Sequence, residues 1–121
     1  MTENHQPTQA LNHVEFDGRL MTPVDYRVTP AGRPVAYLEV EHFSTHDAPE
    51  TALRLEARVV VVTMGALAES CRGLTSGTRL RVIGRLNQKR WVRDGQVRWG
   101  RLELLALKIE ILASDERHSL E

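Results

Sequence analysis

The stretch TALRLEARVVVVTMGALAESCRGL, residues 51–74, changes its hydrophobic period near its middle. Its first half alternates like a strand with one buried face, with Leu53, Leu55, Ala57 and Val59 set against Arg54, Glu56 and Arg58. Residues 59–62 are all valine, which predicts that both faces are covered there. From residue 64 to 74, apolar residues recur at spacings of three or four. This predicts a helix, with Met64 and Cys71 in the core.

Four more segments alternate in the same way and predict strands: residues 14–20, 35–42, 79–86 and 97–112. In the third of these, the inward-facing positions are Leu80, Val82, Gly84 and Leu86. Three strands, one helix and two strands, in that order, are the elements of the OB-fold barrel. We therefore predict an all-β, five-stranded OB-fold barrel. One short helix lies between strands 3 and 4, and a long hairpin joins strands 4 and 5.

Glycine, proline and short polar stretches mark the expected bends and turns. Gly18 interrupts the first strand, which predicts a bulge or a sharp bend. Pro30 and Gly32 predict a turn before the second strand. Residues 44–50 are mostly polar and predict a loop between strands 2 and 3.

The 121 residues fit a single domain. We expect a disordered arm over residues 1–12, the OB-fold domain over 13–113 and a short polar tail over 114–121, where Leu120-Glu121 resembles a cloning remnant. No apolar run approaches the ~20 residues of a membrane-spanning helix, and the N-terminus does not resemble a secretory signal. Cys71 is the only cysteine, which excludes an internal disulfide and favours the cytoplasm.

The formal net charge of zero conceals a strong segregation of charge along the chain. Residues 72–101 contain nine basic side chains and a single acid, Asp94, so that this segment carries +8. The rest of the chain carries seven basic and fifteen acidic groups, or −8. A concentrated basic surface is typical of a protein that meets a polyanion, although a solvated arginine face is the simpler alternative.

The centre of the basic segment, KRWVRDGQVRW, is a predicted hairpin that we call the basic ribbon, residues 89–99. Asp94-Gly95 is a strong signal for a two-residue turn, because both turn residues need positive φ. Such a turn pairs Arg93 with Gln96, Val92 with Val97, Trp91 with Arg98 and Arg90 with Trp99. Arginines that neutralise phosphates and indoles that stack on bases suit single-stranded nucleic acid. In the alternative, one tryptophan packs on the barrel.

Three stretches resemble the bacterial single-stranded DNA-binding (SSB) proteins, and more closely the primosomal replication protein N (PriB) family of that superfamily. They are Phe16-x-Gly18-Arg-Leu20, Arg27-Val-Thr-Pro-Ala-Gly-Arg-Pro34 and Leu38-Glu-Val-Glu-His42. An apolar strand that ends in Gly65 and a glycine, Gly84, before a basic loop are also similar to that family. The resemblance extends over roughly residues 14–112.

The resemblance implies a cytoplasmic homodimer, paired through strand 1, that binds single-stranded DNA. It further implies partnership with the PriA helicase and with DnaT or a helicase loader in replication restart, and possible contact with SSB protein. The DNA is expected to cross the face of strands 2 and 3 and to continue along the basic ribbon. Where the family often has a stacking tryptophan, this chain has Leu55 or Glu56. The candidate binding residues are Arg27, Phe43, Arg85, Lys89, Arg90, Trp91, Arg93, Arg98 and Trp99.

No pattern in the sequence points to catalysis, to a cofactor or to a metal. The five histidines have no cysteine partner beyond Cys71, and no nucleophile–base or phosphate-binding glycine motif is present. Three alternatives stay open. They are a stand-alone SSB protein, a barrel that acts as a protein-interaction scaffold, and an RNA-binding OB domain. The short tail lacks the long arm with an acidic, Phe-terminated tip that SSB proteins carry.

Overall fold

The computed structural model describes residues 10–113 of the chain. It contains six strands and one helix: β1 Val14–Leu20, β2 Asp25–Val28, β3 Pro34–Ala48, β4 Thr51–Met64, α1 Gly65–Cys71, β5 Arg79–Arg93 and β6 Gln96–Ala113. The predicted tail, 114–121, lies outside the described residues, as does the predicted arm except for residues 10–12. There, the side-chain amide of Asn12 donates to the Leu86 carbonyl and accepts from the Leu86 N–H, both at 2.9 Å.

Five of the strands close into a barrel in the order β1–β5–β6–β4–β3, and β3 pairs back to β1 at Leu20 and Val40. All these pairs are antiparallel except β4–β6, which is parallel and sets Val60 opposite Glu103. The helix lies between β4 and β5, the third and fourth strands of the barrel. The predicted five-stranded OB-fold barrel with one short helix is therefore confirmed.

The sequence analysis missed the sixth strand, β2, which pairs with β3 on the edge that β1 has just left. Because β1 and β2 share one edge of β3, they act as one long strand interrupted around Pro23. The predicted turn follows β2: the N–H of Gly32 donates to the Thr29 carbonyl at 2.8 Å, and Gly32 has a φ of 85°. Four mostly exposed residues give no burial pattern, which is why β2 was not recognised.

Two glycines allow the strands to approach closely where the barrel bends. At Gly18, β1 passes from β5 to β3, and a Cβ would collide with Val40 and the Glu41 carbonyl. The bend predicted at this glycine is confirmed. At Gly84, a Cβ would collide with the Leu105 carbonyl, beside a shift in the β5–β6 register. Both closures depend on the absence of a side chain.

The core fills the barrel and is sealed at one end by α1. It is formed by Leu20, Ala36, Leu38, Val40, Val61, Ala68, Cys71, Leu80, Val82, Leu104 and Ala106. Cys71 is buried as predicted, but Met64 is 54% exposed and its assignment to the core was wrong. Met64 is extended and ends β4 next to the buried Thr63, so alternation turns its side chain outward. The described residues contain no helix long and apolar enough to cross a membrane.

Because β3 and β5 both run antiparallel to β1, the β3–β4 and β5–β6 hairpins leave the barrel at the same end. The helix α1 lies at the other end, since it follows the end of β4 that pairs with the start of β3. The loop predicted over residues 44–50 is confined to a turn at residues 49–50, since β3 and β4 stay paired as far as Ala48 and Thr51. Beyond the barrel, inward-patterned side chains become exposed: Leu53 by 52%, Leu55 by 44% and Leu86 by 45%. The prediction that Leu86 faces the core was therefore wrong. It lines the open mouth of the barrel, a mainly apolar cavity of about 640 Å³.

Candidate nucleic-acid interface

The basic ribbon forms the outer part of the β5–β6 hairpin. Asp94 and Gly95 both have positive φ, 54° and 75°, as a two-residue hairpin turn of the primed type requires. The predicted cross-strand pairs are all present: Arg93 with Gln96, Val92 with Val97, Trp91 with Arg98 and Arg90 with Trp99. The register of the ribbon, and hence which side chains share a face, follows directly from the Asp-Gly turn.

A bulge marks the base of the ribbon, where Lys89 alone opposes Gly100 and Arg101. The side-chain amide of Gln88 donates to the Gly100 carbonyl at 2.6 Å and fixes the bulged strand. A Cβ on Gly100 would lie 3.3 Å from Cζ3 of Trp91, so the indole rests directly over this glycine. The bulge thus provides the space that holds the Trp91 ring.

The two faces of the ribbon differ in chemistry. One face, which we call the cationic face, consists of Lys89, Trp91, Arg93, Gln96 and Arg98. The other consists of Arg90, Val92, Val97 and Trp99, and there the Arg90 guanidinium lies 6.0 Å from the Trp99 ring centroid. Both indoles are accessible, with 47% of Trp91 and 60% of Trp99 exposed. Neither tryptophan packs into the barrel.

The cations of the ribbon have no acidic partners within residues 10–113. The ion pairs of that part of the chain lie elsewhere, in β1–β5, β2, β3–β4, α1 and the far end of β6. Asp94, the one acid of the ribbon, is at its tip. The positive charge of Lys89, Arg90, Arg93 and Arg98 is therefore available to an anion from outside.

Arg27 lies apart from the ribbon but shares a cleft of about 260 Å³ with Lys89. Its guanidinium donates to the Asp25 carboxylate at 2.8 Å and lies 5.3 Å from the Tyr37 ring centroid. The hydrogen bonds to Asp25 raise the pKa of Arg27, so this guanidinium already has an acidic partner within the fold. The sequence analysis did not anticipate this partner.

The remaining two candidates are spread over other parts of the barrel. Phe43 is 60% exposed at the base of the β3–β4 hairpin and lines small clefts made by β3 and β4 alone. Arg85 is exposed on β5, opposite Leu105 of β6. The structure thus brings the ribbon residues together, adds Arg27 through the shared cleft, and leaves Phe43 and Arg85 outside that cluster.

The cleft beside the outer face of β3 and β4, where the DNA path was expected to begin, contains acids as well as cations. Asp25, Glu39 and Glu103 line the cleft of Arg27 and Lys89, together with Arg101 and Tyr37. Sequence reasoning did not select these residues. Arg101 could have been found, because it is the last member of the basic segment, whereas the buried Glu103 required knowledge of the parallel β4–β6 pairing.

Solved structures of single-stranded DNA-binding proteins have a similar fold. A deletion mutant of the Thermus aquaticus single-stranded DNA binding protein aligns with a TM-score of 0.75 and 25% identity, covering 87% of this chain and 52% of that one. The chain thus spans about half the length of that protein. The small single-stranded DNA-binding protein of Streptomyces coelicolor aligns with a TM-score of 0.63 and 21% identity, over 87% and 95% of the two chains.

Sequence comparison gives a family but no individual relative. No curated protein matches the chain. The sequence model of a family described as "another single-strand binding protein family" matches residues 12–97, well over half of the chain. The chain therefore belongs to this single-strand binding protein family.

Proposed function

We propose that this protein binds single-stranded DNA through the cationic face of the basic ribbon, without catalysis and in the cytoplasm. The observation that carries the proposal is the ribbon itself. It projects from the barrel with both indoles exposed and with four cations unpaired to any carboxylate of residues 10–113. Family membership supports the same function, because the related structures are those of single-stranded DNA-binding proteins.

On this proposal Trp91, rather than Trp99, is the principal stacking platform. Trp91 is supported from beneath by Gly100 and shares its face with Lys89, Arg93 and Arg98. Trp99 already has the Arg90 guanidinium near its ring and lies next to the Val92–Val97 pair. A base on Trp91 therefore has cations beside it for the flanking phosphates, so stacking and charge act on the same strand.

Comparing the affinities for single-stranded and double-stranded DNA distinguishes single-strand binding from nonspecific attraction of DNA to a basic surface. A fluorescently labelled 20-nucleotide oligothymidine and a 20-base-pair duplex are titrated with the protein at low salt. The strand should bind more tightly than the duplex and should quench the indole fluorescence, because bases in a duplex are not free to stack on tryptophan. Oligouridine of equal length tests the RNA-binding alternative.

Absence of binding to oligothymidine at low salt would refute the proposal and favour a protein-interaction scaffold. Binding that leaves the indole fluorescence unchanged would refute the stacking on Trp91 while leaving the electrostatic contact in place.

We further propose that the protein acts in replication restart, as a homodimer that contacts the PriA helicase and DnaT or a helicase loader, with SSB protein as a possible additional partner. The order and spacing of the PriB-like motifs support this role, although the family match fits a stand-alone SSB protein equally well. Within the described residues, Val14–Phe16 of β1 pair only with β5, which leaves an edge for a second copy.

Two measurements distinguish the restart protein from a stand-alone SSB protein. Sedimentation at micromolar concentration should give a dimer, whereas a tetramer would favour the SSB alternative and a monomer would exclude pairing through β1. Purified PriA should bind the protein in the absence of DNA. Failure of that interaction would remove the restart role without affecting single-strand binding.

A further inference from the structure

Glu103 is a buried carboxylate without a partner of its own. Only 7% of the residue is exposed, and within residues 10–113 no donor hydrogen-bonds to it and no cation pairs with it. Burying a carboxylate without hydrogen bonds is costly. Because the oxygens of Glu103 have no donor in this part of the chain, they can accept hydrogen bonds from a ligand. No other buried carboxylate occurs in the described part of the chain.

Glu103 lines the cleft of about 260 Å³ between β2, the outer face of β3–β4 and the base of the basic ribbon. Tyr37, with the Arg27 guanidinium over its ring, forms another part of the wall. Sites for small molecules usually have volumes of ~300 Å³ or more. Because this cleft is slightly smaller, it suits a single planar ring rather than a whole nucleotide. The cleft therefore combines a buried acceptor with an aromatic ring that is covered by a guanidinium.

The cleft is also continuous with the proposed DNA-binding surface. Lys89 lines the cleft and belongs to the cationic face, while Arg101 follows in the same bulge. These two cations flank Glu103 without pairing with it at ion-pair distance. A strand on the ribbon can thus have phosphates near Lys89 and Arg101 and one base directed into the cleft.

We propose that this cleft binds one nucleobase of the strand and that Glu103 accepts a hydrogen bond from the exocyclic amino group of that base. This inference rests on the proposed function and adds a base preference to it. Adenine, cytosine and guanine carry such an amino group, whereas the one donor of thymine, N3–H, lies between two carbonyl oxygens. Those oxygens repel the acceptor oxygens of Glu103, so the cleft disfavours thymine.

The test compares strands that differ only in the amino group. The wild-type protein is titrated with 20-nucleotide oligocytidine and oligothymidine deoxy strands, and Glu103→Gln is titrated with the same pair. The wild-type protein should prefer oligocytidine by about fivefold or more, in line with one specific base contact. Glu103→Gln should reduce the preference to within about twofold, because an amide can also donate to thymine. Glu39→Gln removes an exposed carboxylate from the same cleft and should keep the preference.

A second comparison needs no protein variant. Deoxynebularine is deoxyadenosine without its amino group, so a 20-nucleotide strand of it should bind the wild-type protein several-fold more weakly than oligodeoxyadenosine. This comparison decides the question if thermal melting shows that Glu103→Gln does not fold.

Equal wild-type affinity for both members of each strand pair would overturn the inference and leave single-strand binding intact. A cytosine preference that persists in folded Glu103→Gln, or that disappears in Glu39→Gln, would also overturn it. If the wild-type protein binds none of the strands, the proposed function itself fails together with the inference.

Discussion

At the scale of single residues, Trp91 and Trp99 show how a backbone bulge makes two chemically identical side chains inequivalent. The indole of Trp91 lies over Gly100 and among the cations of one face, whereas Trp99 faces the opposite side of the ribbon beside Arg90. The sequence placed both tryptophans on the ribbon and on opposite faces. It did not distinguish their roles, because the bulge at Lys89 is not evident from the alternation.

Replacing each indole tests this inequivalence. Trp91→Ala should weaken binding to oligothymidine about 5- to 150-fold, which corresponds to the roughly 1–3 kcal/mol of one stacked base. Trp99→Ala, the matched control on the other face, should have a smaller effect. Fluorescence anisotropy measures both affinities. A larger loss for Trp99→Ala than for Trp91→Ala would reverse the assignment.

Asp17 provides a residue-level prediction about pH. The hydrogen bonds from Arg81, at 2.6 and 3.0 Å, lower the pKa of Asp17. A lowered pKa in the folded state means that the carboxylate stabilises the fold above its ordinary pKa of about 3.9 and loses this effect as the pH falls through the lowered value.

Asp17→Asn should therefore unfold at a lower urea concentration than the wild type at pH 7, and the difference should shrink as the pH falls below about 4. Asp47→Asn is the matched control, because Asp47 is exposed and has no ion pair within residues 10–113. A urea midpoint difference for Asp17→Asn that is independent of pH would contradict the role given to the ion pair.

At the scale of elements, the ribbon is a hairpin whose shape depends on its turn rather than on the barrel core. Gly95 has a φ of 75°, which a β-branched residue tolerates poorly. Gly95→Val should distort the ribbon and weaken DNA binding while the thermal melting of the barrel stays unchanged. Asp94→Asn is the control: asparagine accepts positive φ, so affinity should be kept or increased. Parallel loss of melting temperature and affinity in Gly95→Val would show that ribbon and barrel fold as one unit.

The barrel itself depends on close approach at Gly84. A methyl group there meets the backbone of Leu105 and Ala106, which cannot give way as a flexible side chain can. Gly84→Ala should cost at least about 1–3 kcal/mol of unfolding free energy, the usual range for overpacking. Gly73→Ala, with nothing within 4 Å of its Cβ, should be close to neutral. Equal urea midpoints for the two variants would contradict this account of barrel closure.

Strands could be predicted from the sequence where burial of one face makes apolar and polar residues alternate, and not where both faces are exposed. The core of β5 and the turn of the ribbon were predicted because alternation and Asp-Gly are local signals. The polar pattern of residues 44–48 predicts a loop rather than a strand, because this part of β3 projects beyond the barrel and is exposed on both faces. The buried environment of Glu103 depends on the non-local β4–β6 pairing, which no local pattern encodes.

At the scale of the whole molecule, the basic segment of the sequence gathers its unpaired cations on the ribbon. On the outer face of β3 and β4, Glu41 is paired with Arg58 at 3.5 Å, while the ribbon at the open end carries cations unpaired within residues 10–113. Attraction of a polyanion is therefore directed to the ribbon rather than spread over a protein of zero net charge. The fold could be predicted from the order of five alternating segments and one helix, but the carboxylates around Arg27 could not.

The salt dependence of oligothymidine binding tests the central claim most directly. Single-strand affinity falls with salt by a logarithmic slope of about 0.7 for each phosphate contact. The Arg93→Gln/Arg98→Gln variant should therefore lose about 1.4 from the wild-type slope. Arg33→Gln, an exposed arginine on the turn after β2, should leave the slope unchanged. An unchanged slope in the double variant, or an affinity of the wild type that does not respond to salt, would contradict the claim that the ribbon holds the strand.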